Sequence, residues 1–170
     1  MPKTNVVLTG FMGTGKTTIG RLVAEKLNYK FIDTDQLIEE QIGCTIAEFF
    51  RVNGEAAFRK LEAELAQDLS HRVGLVISTG GRMMLDPVNT AALEKSGRVF
   101  CLVATPEEIL ERVATDGNVR PLLQVSNPLE HIIELMQQRE KGYKRFSQLD
   151  TTGKHPEEIA VELAELVQGQ

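Results

Sequence analysis

The sequence predicts an α/β fold, an open parallel sheet with helices on both faces. Two observations predict it. Short, near-continuous apolar runs recur along the chain, as in strands buried on both sides. Longer segments with apolar residues on one helical face alternate with them, and such alternation builds parallel sheets because each crossover needs a helix.

The elements follow in order. Residues 6–9 (VVLT) form the first strand. Ile19, Leu22, Val23 and Leu27 share one face of the helix after it. Residues 30–32 form a second strand and 75–78 (LVIS) a third, separated by a helical face of Phe58, Leu61, Leu65 and Leu69. Residues 99–103 (VFCLV) form a fourth strand, and 148–150 is a fifth candidate. Ile109, Leu110 and Val113 mark one later helix, Ile132, Leu135 and Met136 another, and Ile159, Leu163, Leu166 and Val167 the last. Thr105-Pro106-Glu107-Glu108, Asn127-Pro128 and His155-Pro156-Glu157-Glu158 signal helix starts, with proline in the first turn and acids beside the positive end of the dipole. Residues 115–127, rich in Gly, Asn, Arg and Pro, have no period and suit a mobile lid.

Composition bounds the function. The 170 residues, 42% hydrophobic and 25% charged, suit one globular domain spanning 1–170 and exclude disordered, collagen-like and coiled-coil classes. A net charge of −5 argues against a broad nucleic-acid surface, although a few placed cations can grip a small anion. Cys44 and Cys101 lie far apart in apolar surroundings, as reduced thiols do. The first ten residues show no signal-peptide layout, and no apolar run approaches the roughly 20 residues of a membrane span. A cytoplasmic monomer without membrane or nucleic-acid partners is the expectation.

Residues 10–17 match G-x-x-x-x-G-K-[ST] in full, directly after the first strand and opening the first helix. Backbone N–H groups of Gly13, Thr14 and Gly15, with Thr18 behind them, then face phosphate oxygens at a helix N-terminus. Lys16 reaches the β- and γ-phosphates, and the Thr17 hydroxyl is placed to ligate Mg²⁺. No N-K-x-D or T-K-x-D segment follows, so a guanine-reading GTPase is excluded; the chain is also too short for a motor or transporter ATPase. A small ATP-dependent kinase remains, with its acceptor over the carboxyl ends of the strands.

Asp33 and Asp35 follow the second strand at i, i+2 spacing. Two carboxylates there can share one cleft, one holding a metal-bound water and one facing the acceptor. Equally, they suit a solvated helix N-terminus, with Asp35 as the cap. Arg59 can be a functional cation or a snorkelling surface residue, and Arg112 a functional group or a solvated i, i+4 partner of Glu108. Arg120, in an irregular Pro-flanked loop, is the stronger candidate for function.

Together the phosphate loop, Asp33-x-Asp35, the Gly54-Glu55-x-x-Phe58-Arg59-x-x-Glu62 helix start, Thr79-Gly80-Gly81, Arg120-Pro121-Leu122-Leu123 and Arg139-x-x-x-Tyr143 resemble the shikimate kinases over essentially the whole chain. The resemblance implies a three-layer α/β/α P-loop kinase of the nucleoside-monophosphate-kinase type, with a five-stranded parallel sheet and a small lid. It implies MgATP and shikimate as substrates, with phosphoryl transfer to the 3-hydroxyl. Arg59 and Arg139 would clamp the carboxylate, Gly81 donate from the backbone and Asp35 accept the proton of the reacting hydroxyl, with residues 34–62 as the substrate-binding helical segment. Asp33 would meet the magnesium through water, Arg120 close over the phosphates, and Arg112 with Pro156 flank adenine. A gluconate-type kinase and a silent nucleotide-binding relative are the rivals. One departure stands out: the family usually has a third glycine where this chain has Arg82. A strained arginine needs a compensating benefit, so φ < 0 and a guanidinium at the rim of the pocket are expected.

Overall fold

The computed structural model describes residues 4–116 and 124–169. Its elements are β1 (Asn5–Gly10), α1 (Lys16–Leu27), β2 (Lys30–Asp33), α2 (Thr34–Ile42), α3 (Ile46–Asn53), α4 (Glu55–Ser70), β3 (Leu75–Ser78), a 3₁₀ turn (Met83–Leu85), α5 (Pro87–Glu94), β4 (Gly97–Val103), α6 (Pro106–Thr115), α7 (Pro128–Tyr143), β5 (Ser147–Asp150) and α8 (Pro156–Gln168). All five anticipated strands are present, each matching its expected range or extending it by a residue or two, although β5 (SQLD) has no apolar run. Three short helices carry no sustained apolar period and were not anticipated as separate elements: α2, α3 and α5, of eight or nine residues. Two turns of helix give too few repeats for a face to declare itself. The Asp86 cap and Pro87 at the first position of α5 were the readable signals, and the Asp86 carboxylate does accept from Val88 N–H.

The sheet is parallel throughout, in the order β2-β3-β1-β4-β5. Side chains alternate across it, dividing the core into two layers. Val7, Ile77 and Cys101 face Phe58, Leu65, Leu69 and Leu93 from α4 and α5. Val6, Leu8, Val76, Phe100 and Leu102 face Ile19, Val23, Ile159 and Leu163 from α1 and α8. A third cluster, Phe11, Ile109, Val113 and Ile132, seats α6 and α7 against the loop after β1. The chain leaves β1 toward β2 and β3 on one side and later reaches β4 and β5 on the other. The strand order therefore reverses at β1, opening a crevice at its carboxyl end. Three of the proposed functional segments converge there: the loop after Gly10, Asp33 at the end of β2, and the turn after Ser78.

Candidate active site

The loop between β1 and α1 is built around glycine. Gly10 has φ 132°, and a Cβ there would lie 2.3 Å from the Leu102 carbonyl oxygen, so no side chain fits against β4. Gly15 caps α1 in the left-handed region at φ 94°, where L side chains are strained. Thr14 is buried and its hydroxyl donates to the Phe11 carbonyl at 2.7 Å, fixing the loop from within. The Lys16 ammonium donates to the Gly10 and Phe11 carbonyls at 2.8 and 2.9 Å, which folds its side chain back along the loop.

A cavity of about 890 Å³ opens in front of this loop. Gly13, Thr14, Gly15, Lys16, Thr17, Thr18, Asp33, Asp35, Gly81, Arg112 and Pro156 all line it. The structure thus brings eleven of the residues singled out in the sequence to one concavity. Arg120 lies outside the described residues, as does most of the segment expected to be a lid. Arg59 and Arg139 are not in the lining; they stand around the turn that follows β3.

Asp33 and Asp35 divide the two roles that the sequence left open. The cap of α2 is Asp33, not Asp35: its Oδ1 accepts the Gln36 N–H at 3.1 Å, and its Oδ2 accepts the Thr17 hydroxyl at 3.2 Å. Asp35 sits inside the first turn and is released to the cleft. Burial pushes its carboxyl up to about 6 from an ordinary 3.8; the Asp33, Glu62 and Glu39 charges act in the same sense, against Lys16. Gly80 makes room for it, since a Cβ on Gly80 would lie 2.6 Å from Asp35 Oδ1. The Gly80 N–H is held by the Thr34 hydroxyl at 3.0 Å, so β3 and α2 are fastened beside the carboxylate.

Arg59 is neither free nor merely snorkelling. Nη1 donates to Glu62 at 2.5 Å, while Nε and Nη2 donate to Glu55 Oε1 at 3.4 and 3.3 Å. Burial works against its charge, but the Glu62 bond and charge prevail and raise the guanidinium further. Glu62 itself is 1% exposed, and burial raises its carboxyl although Arg59 opposes this. The Arg139 guanidinium lies 5.3 Å from the centre of the Phe11 ring, and a Cβ on Gly81 would approach its Nη1 to 3.4 Å. The Tyr143 hydroxyl donates to the Gly81 carbonyl, tying α7 to the same turn. Arg112 pairs with Glu108 at 2.5 Å, as the bland reading had it. It also donates to Gly13 O at 3.2 Å, Thr151 Oγ1 at 3.1 Å and Thr151 O at 3.0 Å, linking α6 to the phosphate loop and the turn before α8. Arg82 has φ −113° and ψ −5°, the unstrained outcome, and its Nη1 lies 3.4 Å from Glu55.

Gly80, Thr34, Glu62 and Tyr143 were given no role by sequence reasoning. Gly80, Glu62 and Tyr143 stood in the motifs without a role, and Glu62 left a further signal of its own. Phe58, Glu62, Leu65 and Leu69 form one buried helical stripe, and an acid within such a stripe needs a partner.

A phosphate loop at the reversal point of a parallel sheet, with a carboxylate in the same cleft, defines a P-loop phosphotransferase. The shikimate kinase family model matches residues 12–168. A shikimate kinase of Thermodesulfovibrio yellowstonii is 46% identical over 157 residues, 92% of this chain and 90% of that one. The chain belongs to the shikimate kinase family. The structure of an Acinetobacter baumannii shikimate kinase in complex with shikimate superposes with a TM-score of 0.88 at 35% identity, covering 98% of this chain and 94% of that one. A gluconokinase of Sinorhizobium meliloti shares the fold alone, with a TM-score of 0.59 at 21% identity over 99% of this chain and 95% of that one.

Proposed function

We propose that this chain transfers the γ-phosphoryl group of ATP to the 3-hydroxyl of shikimate, giving ADP and shikimate 3-phosphate. The observation that carries the reading is the placement of Asp35, half-buried and with its carboxyl near 6, in one cavity with the phosphate loop. A base whose pKa lies just below neutrality is mostly ionised at pH 7 yet still accepts a proton readily.

Backbone N–H groups of residues 13–18 hold the phosphates at the start of α1, and Lys16 swings from the loop carbonyls to the β/γ oxygens. Asp35 bonds the acceptor hydroxyl, aligns it with the γ-phosphorus and takes its proton. The new O–P bond forms as the bond to the β-phosphate oxygen breaks, and ADP carries away that electron pair. Arg59 and Arg139 offer planar forks to the acceptor carboxylate, and Gly81 offers its backbone. Arg112 and Pro156 flank the base of the nucleotide, and Arg120 closes over the phosphates. Thr17 and Asp33, two hard oxygen groups 3.2 Å apart at the phosphate end, suit Mg²⁺, with Asp33 acting through water. When bound, that ion neutralises phosphate charge.

The setting is the cytoplasm, with the chain acting as a monomer on small molecules. The net charge of −5 and two unpaired cysteines support it, and among the described residues no helix is long and apolar enough to cross a membrane. The test is ADP release from MgATP with shikimate, with gluconate and with neither, and phosphorus NMR of the product. Shikimate-dependent release with a 3-phosphate ester is expected; preference for gluconate, or release indifferent to any acceptor, overturns the reading.

A further inference from the structure

The turn after β3 carries a charge arrangement that the reaction above does not use. Arg82 lies 27 residues from Glu55 in sequence, yet its Nη1 meets Glu55 Oε1 at 3.4 Å. The same oxygen also accepts from Nε and Nη2 of Arg59. Arg59 is held on its other side by the buried Glu62 at 2.5 Å. These bonds use three of the five N–H groups of Arg59 and leave one on each terminal nitrogen. Arg139 stands at the adjacent glycine. Around the turn, then, three guanidinium groups meet the Glu55 and Glu62 carboxylates, and Asp35 stands at Gly80 on the side of the cleft. Without Arg82 the turn loses one positive charge, and Glu55 and Glu62 both fall to Arg59.

We propose that Arg82 is a positioning residue for an anionic acceptor. By sharing Glu55 it keeps the Arg59 charge from being neutralised twice over, so that the fork of Arg59 remains available to an incoming carboxylate. The proposal rests on the assignment of Arg59 to the acceptor and adds what sets the strength of that contact. The backbone of Arg82 is unstrained, so replacement by glycine relieves no strain; it removes the charge, and any cost of added backbone freedom is read separately in the thermal midpoint.

The experiment compares the wild-type chain with Arg82→Gly, Glu55→Gln and the double variant. It records kcat, KM for shikimate, KM for ATP and the thermal midpoint at low and at high salt. At low salt Arg82→Gly raises KM for shikimate about three- to fivefold, the scale of a half-exposed ion pair, and the effect shrinks at high salt. Changes in kcat and in KM for ATP stay below about twofold, because no group facing the nucleotide is altered. In the double variant most of the loss in KM is restored, because the surplus carboxylate is gone while its shape remains. A strut without electrostatic purpose gives a different pattern: each single variant lowers the midpoint, and the double variant stays as low as the singles with no recovery of KM. That pattern, an unmoved KM for shikimate in Arg82→Gly, or a failure of Glu55→Gln to rescue it, overturns the proposal. A wild-type chain with no shikimate-dependent ADP release overturns the functional reading instead, and that result is plain before any variant is compared.

Discussion

Replacing Asp35 by asparagine separates what this carboxylate does for catalysis from what it does to the fold. Its carboxyl sits near 6 in the folded chain against 3.8 in an unfolded one, chiefly through burial. The folded state therefore holds a proton that the unfolded state has lost between those values. The sign follows by linkage: a raised carboxyl favours the fold fully below about pH 3.8, and the benefit is lost as pH rises through about 6. Above that range the fold carries a buried charge it would rather not have. The gap of about 2 pH decades, at about 1.4 kcal/mol each, bounds the penalty near 3 kcal/mol. Asparagine keeps the shape and carries no charge. Since its amide N–H groups must find partners, we expect about 1–3 kcal/mol of stabilisation at pH 8, or roughly 3–10 °C in thermal midpoint for a domain of this size. Near pH 4.5 the folded carboxyl is mostly protonated while the unfolded one is still mostly ionised, so the gap between the two midpoints should shrink to about a third of its value at pH 8.

Activity moves the other way. Loss of the proton acceptor should lower kcat by about 10²–10⁴, while the wild-type kcat/KM should fall as pH drops through about 6. Differential scanning fluorimetry across pH 4.5–8.5, with coupled ADP release on the same preparations, measures both. A variant no more stable than wild type at pH 8, or equally stabilised at pH 4.5 and pH 8, refutes the argument from burial. Retained activity refutes the role of base.

Lys16→Ala should abolish turnover while leaving the circular dichroism spectrum intact, because the loop loses its cation to the phosphates; more than a tenth of the wild-type rate would place the nucleotide elsewhere. Arg59→Lys keeps the charge and loses the fork, so KM for shikimate should rise at least about tenfold with KM for ATP nearly constant; a rise in KM for ATP alone would reassign that arginine. Gly80→Ala puts a methyl group 2.6 Å from Asp35 Oδ1. Overpacking of this kind costs about 1–3 kcal/mol, and the displaced carboxylate should lower kcat about tenfold or more; a variant with unchanged kcat and midpoint would mean that Asp35 is not confined there.

Features written in contiguous residues were legible in the sequence. The phosphate loop and the caps at Thr105 and Asn127 depend on neighbours within eight positions, and both caps accept the expected backbone N–H at 3.3 Å. The apolar runs marked the strands because a sheet covered on both sides leaves no polar alternation to obscure them. Sheet order was different in kind. Nothing local says that β1 lies between β3 and β4 rather than beside β2, the strand that follows it in sequence. The short helices were hidden for lack of length, and the role of Gly80 was hidden because the atom it must avoid lies 45 positions away.

The two carboxylates after β2 show where sequence reasoning about chemistry runs out. An aspartate at a strand end can cap the next helix or face a cleft, and spacing alone allows each residue either role. Geometry settles the division through a single hydrogen bond. Because Asp33 accepts the Gln36 N–H and so satisfies the start of α2, Asp35 falls inside the first turn and has no backbone to serve. Its carboxylate is left to burial among acids, which raises its proton affinity toward neutrality. Its other oxygen is left to accept the Thr17 hydroxyl, which keeps Asp33 beside the start of α1. The cap, the Thr17 contact and the carboxylate left facing the cleft thus follow from one local choice, made by the residue that reaches the helix terminus first.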